Sequence, residues 1–335
     1  QKILQELKDV VARHKPGDTL TPPPLMPSVR IDGRRLSYAP MGLDNTEEQP
    51  AVLFLHGFGG FFMDWPRVMA SVSRHTRVYA VDLPGWGFSD PNPWANDLHH
   101  DVEAIQKFIS MMNLKKVILC GISYGAGVAW AAAAMNLPQV NHVVLLNPMP
   151  PHPLRFMKSV IYQGIFALSL FRPTAKMASK FLTKAQYKAI CRESLLNDRL
   201  MDTFYLDLAF MMIKQPKMPH ILHAHAKGAR AIDWGRWESR LAGCAIPVTI
   251  MQGLEDRIFS IESARHLHQL IPHSELIEVS SCGHAMVFDQ HRRVSETLIQ
   301  ILNEGNDLRP SVGEDSAQEL DQNPNHTEKQ KKVGT

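Results

Sequence analysis

The sequence predicts an α/β protein: a mostly parallel sheet, helices on both faces, and a helical segment inserted late in the chain. Three observations predict it. Short apolar runs rich in Val, Ile and Leu recur, as in "AVLFLHG", "TRVYAVDLPG", "KVILCGIS", "HVVLLNP", "IPVTIMQG" and "SELIEVSSCGH". Strands buried on both faces read as such continuous runs. Segments of helical spacing separate most of them, near 61–74, 95–113, 124–136 and 261–271, with a last one near 285–303, and alternation of this kind builds an open parallel sheet. Finally, nearly a hundred residues without a clear strand lie between "HVVLLNP" and "IPVTIMQG". That is far longer than an ordinary connection, so it reads as an insertion.

The elements follow in order. "QKILQELKDVVARH" places Ile3, Leu4, Leu7, Val10 and Val11 at helical spacing. The prolines of "KPGDTLTPPPLMP" stop it, so residues 1–27 read as a helix and a proline-rich arm. "VRIDGRRLSYAPMG" reads as a hairpin turning on Asp32-Gly33. Residues 28–150 and 243–303 form the α/β core, and 151–242 a helical cap carrying Met, Phe, Leu and Tyr, as in "RLMDTFYLDLAFMMI". From 304 to 335 large apolar residues almost vanish, so this tail is expected to be disordered.

Composition narrows the class. The chain has 335 residues, 44% apolar and 21% charged, which permits a sizeable core. A formal net charge of +3 leaves no footprint for nucleic acid. Cys120, Cys191, Cys244 and Cys282 lie far apart, with neither metal spacing nor a dense disulfide framework. A reducing, cytoplasmic setting is the milder reading, although the chain begins with Gln. The longest apolar stretch, "VIYQGIFALSLF", is shorter than the ~18–20 residues that span a bilayer.

Ligands of an open α/β sheet bind at the carboxyl ends of its strands. After "VILCGI" stands Ser123, after "VTIMQGLE" Asp256, after "LIEVSSCG" His284, and after "AVLFL" the turn "HGFGG". A serine hydroxyl needs an imidazole to accept its proton, and the imidazole needs a carboxylate to hold its tautomer. Gly121 and Gly125 remove side chains where a strand turns sharply into a helix. By itself "GISYGAG" is also compatible with a plain glycine-rich turn; the other motifs in register favour the chemical reading.

The stretches "LFLHGFGG", "VDLPGWGFSD", "GISYGAG", "GLEDRI" and "CGHAMVFD", in this order over residues 28–303, resemble the α/β-hydrolase superfamily. The resemblance implies the α/β-hydrolase fold. It implies Ser123 as nucleophile, His284 as base and Asp256 as the orienting acid, with the backbone N–H groups of Phe58 and Tyr124 as oxyanion donors. No cofactor and no metal is required. Some members carry the acid one strand earlier, where this chain reads "LLNPMP", with Asn147 and no carboxylate. The adjacent Glu255 is set aside because the spacing in "GLED" points to Asp256.

Other residues receive quieter readings. His56 is expected to be structural. "HILHAH", with His220, His223 and His225, lacks an acidic or cysteine partner nearby and reads as a polar helix face. Cys120 and Cys282 read as small buried residues. Phe204, Phe210, Met211 and Met212 are equally compatible with core packing and with the wall of an acyl pocket; residues 156–171 are the alternative wall. The expected substrate is a small apolar ester cleaved through an acyl-enzyme. C–C hydrolysis of vinylogous diketones, lactonase, amidase or cofactor-free haloperoxidase chemistry stays open, as does a small-molecule-binding protein on the same scaffold. Epoxide hydrolases and haloalkane dehalogenases are disfavoured, since those relatives place Asp at the position of Ser123. The stretch "LRFMKSVIYQGIFALSLFRPTAK" has two readings: a cap helix on the core, or an interfacial segment making peripheral membrane contact.

Overall fold

The computed structural model describes residues 2–42, 49–91, 98–197 and 200–304. Of the expected tail, Glu304 ends the last helix, and residues 305–335 lie outside the described residues. Among the described residues eight strands form one sheet: β1 (Ser28–Ile31), β2 (Arg34–Met41), β3 (Ala51–Leu55), β4 (Val78–Val81), β5 (Val117–Ile122), β6 (Val140–Leu146), β7 (Val248–Gly253) and β8 (Ser274–Val279), in the spatial order β1-β2-β4-β3-β5-β6-β7-β8. The hairpin β1–β2 is antiparallel, as is the β2–β4 pair, and the remaining pairs are parallel. The hairpin turns on Asp32 and Gly33 at φ 50° and 78°, the left-handed conformation that this two-residue turn demands.

Helices cover both faces: α1 (Lys2–Arg13), α2 (Pro66–Val72), α3 (Leu98–Met111) and α4 (Tyr124–Ala134) precede the insertion, and α12 (Ile261–Leu270), α13 (Met286–Asp289) and α14 (His291–Glu304) follow it. The pleat sorts the core into two layers. Leu53 and Leu55 of β3 join α3, α4 and α12 on one side. Val52 and Phe54, one residue out of phase, join α2 and α14 on the other. Strand residues must be apolar on both faces, which is why they read as unbroken runs. The N-terminal arm also packs on the body, since Leu7, Leu20 and Met26 are buried.

Between β6 and β7 the described residues form seven α-helices: α5 (Pro153–Phe156), α6 (Val160–Ser169), α7 (Arg172–Phe181), α8 (Lys184–Ser194), α9 (Thr203–Lys214), α10 (Met218–Ala231) and α11 (Trp234–Ala242). Starts are marked by side-chain caps where the sequence supplies them. Ser159 accepts from the Tyr162 N–H, Thr183 and Gln186 form a capping box, and Asp202 accepts from the Tyr205 N–H.

Candidate active site

Ser123 stands between β5 and α4 with φ 53° and ψ −115°. A non-glycine residue there is strained, and its neighbours are shaped to permit it. A Cβ on Gly125 would collide with the backbone of Leu55 and His56, and one on Gly121 with the backbone of Gly125 and Ala126. The turn is fixed by Ser123 N–H donating to the Leu146 carbonyl at 3.0 Å and by the Met149 N–H donating to the Ser123 carbonyl at 3.0 Å. Ser123 therefore sits at the positive end of the α4 dipole, with Tyr124 as the first helical residue.

Asp256 and His284 come from the two loops after β7 and β8. His284 Nδ1 lies 2.8 Å from Asp256 Oδ2, and both residues are buried. Asp256 Oδ1 accepts from the N–H groups of Ile258 at 2.7 Å and Phe259 at 3.0 Å, and Gln252 Nε2 donates to Oδ2 at 3.1 Å. An acceptor-only group so surrounded by donors directs its remaining capacity at the imidazole, so Nδ1 carries the proton.

Asn147 ties these loops together. Its Nδ2 donates to the carbonyls of Gly283 at 2.8 Å and His284 at 2.7 Å, while its Oδ1 accepts from the Gly253 N–H at 2.6 Å. Glu255, adjacent to the acid, accepts from the Cys282 N–H at 2.8 Å, and this bond holds its carboxyl below the usual range. Asp289 accepts from the Gly283 N–H at 2.9 Å. In the sequence Asn147 stands out only as not being an acid. Its tie between loops depends on contacts across more than a hundred residues of chain, and no spacing rule encodes those.

On the other side of Ser123 runs "HGFGG". His56 is buried, accepts from the Leu83 N–H at 3.0 Å, and has its pKa lowered to about 4 by burial, so it is a neutral structural group as expected. The Phe58 ring is held edge-on by Trp86 and His225. His225 corrects one expectation. It does not lie on a solvated polar helix face: it is buried in the cavity wall and accepts from Trp86 Nε1 at 3.0 Å. Because an indole nitrogen only donates, His225 Nε2 bears no proton. No cluster of possible metal ligands occurs among the described residues. Cys120 and Cys282 are buried free thiols, pushed up in pKa by burial.

Ser123, His284, Phe58 and Tyr124 line one cavity of about 320 Å³. Asp256 lies behind His284. The wall opposite comes from the insertion, with α6, α7, α8 and α10 all contributing, among them Tyr162, Ile165 and Phe166 of α6 and Leu182 just after α7. Phe204, Phe210, Met211 and Met212 are absent from it. Phe210, Met211 and Met212 are buried, and Phe204 packs against the same core layer. The Phe210 ring lies 5.6 Å from that of Tyr187. The reason is the face that α9 presents: Met201, Tyr205 and Ile213 reach the cavity from this region, and the Phe-Met run turns inward. The alternative stretch, 156–171, supplies part of the wall, through Met157, Tyr162, Ile165, Phe166, Leu168 and Ser169.

Polar groups in the wall are few. Asp64 accepts from the Tyr205 hydroxyl at 2.6 Å, and burial raises its pKa to about 7. The hydroxyls of Tyr162 and Ser194 pair at 3.0 Å. Neither Lys nor Arg lines the cavity among the described residues.

The chain belongs to the alpha/beta hydrolase fold family, which matches residues 50–290, and its class is that of hydrolases. It is 26% identical over 255 residues to 2-hydroxy-6-oxo-2,4-heptadienoate hydrolase of Pseudomonas putida, an alignment covering 72% of this chain and 84% of that protein. Among solved structures it is similar to a meta-cleavage product hydrolase from Pseudomonas fluorescens, with TM-score 0.68 and 20% identity, covering 84% and 98% of the two chains. A putative lipase from Acinetobacter baumannii gives TM-score 0.71 at 17% identity, covering 91% and 95%. At these identities the structural likeness concerns the fold.

Proposed function

We propose that the protein is a serine hydrolase that cleaves carboxylic esters with an apolar acyl or alcohol group. The observation that carries this reading is the cavity: about 320 Å³, overwhelmingly apolar, free of Lys and Arg among the described residues, and lined by Ser123 and His284. A volume near the lower end of the ~300–1,000 Å³ usual for ligand pockets suits a medium-length chain. In this reading His284 Nε2 takes the Ser123 proton as the oxygen attacks the ester carbonyl. The backbone N–H groups of Phe58 and Tyr124 hold the oxyanion. The imidazolium, stabilised by Asp256, then returns the proton to the departing alkoxide. Water, deprotonated by His284, attacks the acyl-enzyme, and the acid and Ser123 are released.

Carbon–carbon hydrolysis is the rival, because the Pseudomonas putida relative acts by name on a dienoate. Such a substrate carries a carboxylate. A buried carboxylate without a cationic partner is costly, and among the described residues this wall holds the Asp64 carboxyl and no Lys or Arg. That favours a neutral ester.

The test is a panel of p-nitrophenyl esters from acetate to palmitate beside 2-hydroxy-6-oxo-2,4-heptadienoate, with fluorophosphonate labelling. Ester turnover and labelling, both lost in Ser123→Ala, are expected. Faster turnover of the dienoate than of any ester would overturn the ester reading. Absence of both labelling and turnover would leave the small-molecule-binding alternative.

A further inference from the structure

Helices α6 and α7 are apolar on two sides. Toward the cavity α6 presents Tyr162, Ile165, Phe166 and Ser169. Toward solvent it presents Val160, Ile161 and Leu168, and around Gly164 there is open space. A helix apolar on all sides is normally buried on all sides. The four most exposed large apolar side chains among the described residues all lie here: Val160 (78%), Phe171 (67%), Phe181 (66%) and Met177 (61%). Leu154 and Leu168 belong to both surfaces. They line the cavity and are each 48% exposed, so the cavity reaches solvent on this face.

The segment that carries this face is basic, although the Glu193 carboxylate accepts from the Ser159 hydroxyl at the start of α6. Residues 151–192 contain eight Lys or Arg and no Asp or Glu, in a chain whose totals are 36 and 33. All eight are exposed. Lys184 is paired with Asp207, and the Arg172 guanidinium lies beside His220. On α7, Arg172, Lys176 and Lys180 recur every fourth residue beside Met177 and Phe181. Long basic side chains next to an apolar stripe suit a surface with anionic headgroups over an apolar interior. A second copy of the same face would bring like charges together.

We infer that the α6–α7 face of the insertion docks on an anionic lipid bilayer, so that an apolar ester passes from the leaflet past Leu154 and Leu168 to Ser123. The delivery step rests on the ester reading. The docking step does not, and the experiment separates them. Flotation of the full chain carrying Ser123→Ala is measured with phosphatidylcholine vesicles and with vesicles also containing phosphatidylserine. Binding should be at least about tenfold stronger to the anionic vesicles and should fall in high salt. Lys176→Glu/Lys180→Glu should abolish the preference for anionic vesicles. Phe171→Ser/Phe181→Ser should weaken binding to both. None of these four side chains lines the cavity, so in the Ser123 protein turnover of p-nitrophenyl butyrate in solution should be unchanged. Equal binding to both vesicle types, no binding at all, or binding indifferent to both double variants would overturn the docking. If docking holds while no ester is cleaved, the ester reading fails and the membrane surface stands.

Discussion

Asn147 offers the sharpest test of how this site is held. Its one amide makes three buried hydrogen bonds, to Gly253, Gly283 and His284, and joins the ends of three strands. Asn147→Ala removes all three and leaves one N–H and two carbonyls buried without that partner. At roughly 1–3 kcal/mol per orphaned buried group, partly relieved by relaxation, the expected loss is about 3–6 kcal/mol. That is a large share of the ~5–15 kcal/mol that a native domain has. Asn147 also has φ 41°, so Ala adds strain of about 1 kcal/mol that Gly avoids. The assay is urea unfolding of wild type, Asn147→Ala and Asn147→Gly, with ester turnover measured on each folded variant. Both variants should unfold at clearly lower urea, Ala below Gly. Turnover should drop at least tenfold in both, because the loops carrying Asp256 and His284 lose their common tie. A loss under about 1 kcal/mol with turnover retained would refute the reasoning, since those backbone groups would then be satisfied without the amide.

Other consequences follow from the same geometry. Asp256→Asn should lower kcat on the order of 10³–10⁴-fold, as expected when an imidazole loses its orienting charge. Glu255→Gln should change kcat only a few-fold, because an amide oxygen can still accept from the Cys282 N–H; a reversed order of severity would move the acid to Glu255. Asp64 has its folded pKa raised from 3.8 to about 7 by burial, so the folded state binds the extra proton and stability falls as pH rises from about 4 to about 7. Asp64→Asn removes that dependence, so its stability relative to wild type should be higher at pH 8 than at pH 5 by about 2 kcal/mol; equal effects at both pH values would contradict the shift. Phe210→Ala should cost about 3–5 kcal/mol of stability and leave the butyrate-to-octanoate ratio of kcat/KM unchanged. Leu182→Ala, on the cavity wall just after α7, should change that ratio several-fold, and an unchanged ratio would remove Leu182 from the acyl site.

Local chemistry alone determined a good deal. The apolar runs, the turn at Asp32-Gly33 and the glycines around Ser123 are constraints a short stretch imposes on itself, through buried strands, positive φ and collisions with backbone. Hence the parallel sheet, the order of its strand ends and the placement of Ser123, Asp256 and His284 on one edge are legible in the sequence itself. Only the tertiary structure decided which side of the insertion faces the serine. Phe210, Met211 and Met212 have the same apolar character as Ile165, Phe166 and Leu182, and hydrophobicity alone cannot distinguish a side chain that fills a core from one that walls a cavity. The roles of Asn147, Glu255 and His225 were hidden for a related reason. Each is defined by a hydrogen bond to a residue distant in sequence, and such a partner exists only once the sheet has brought the loops together.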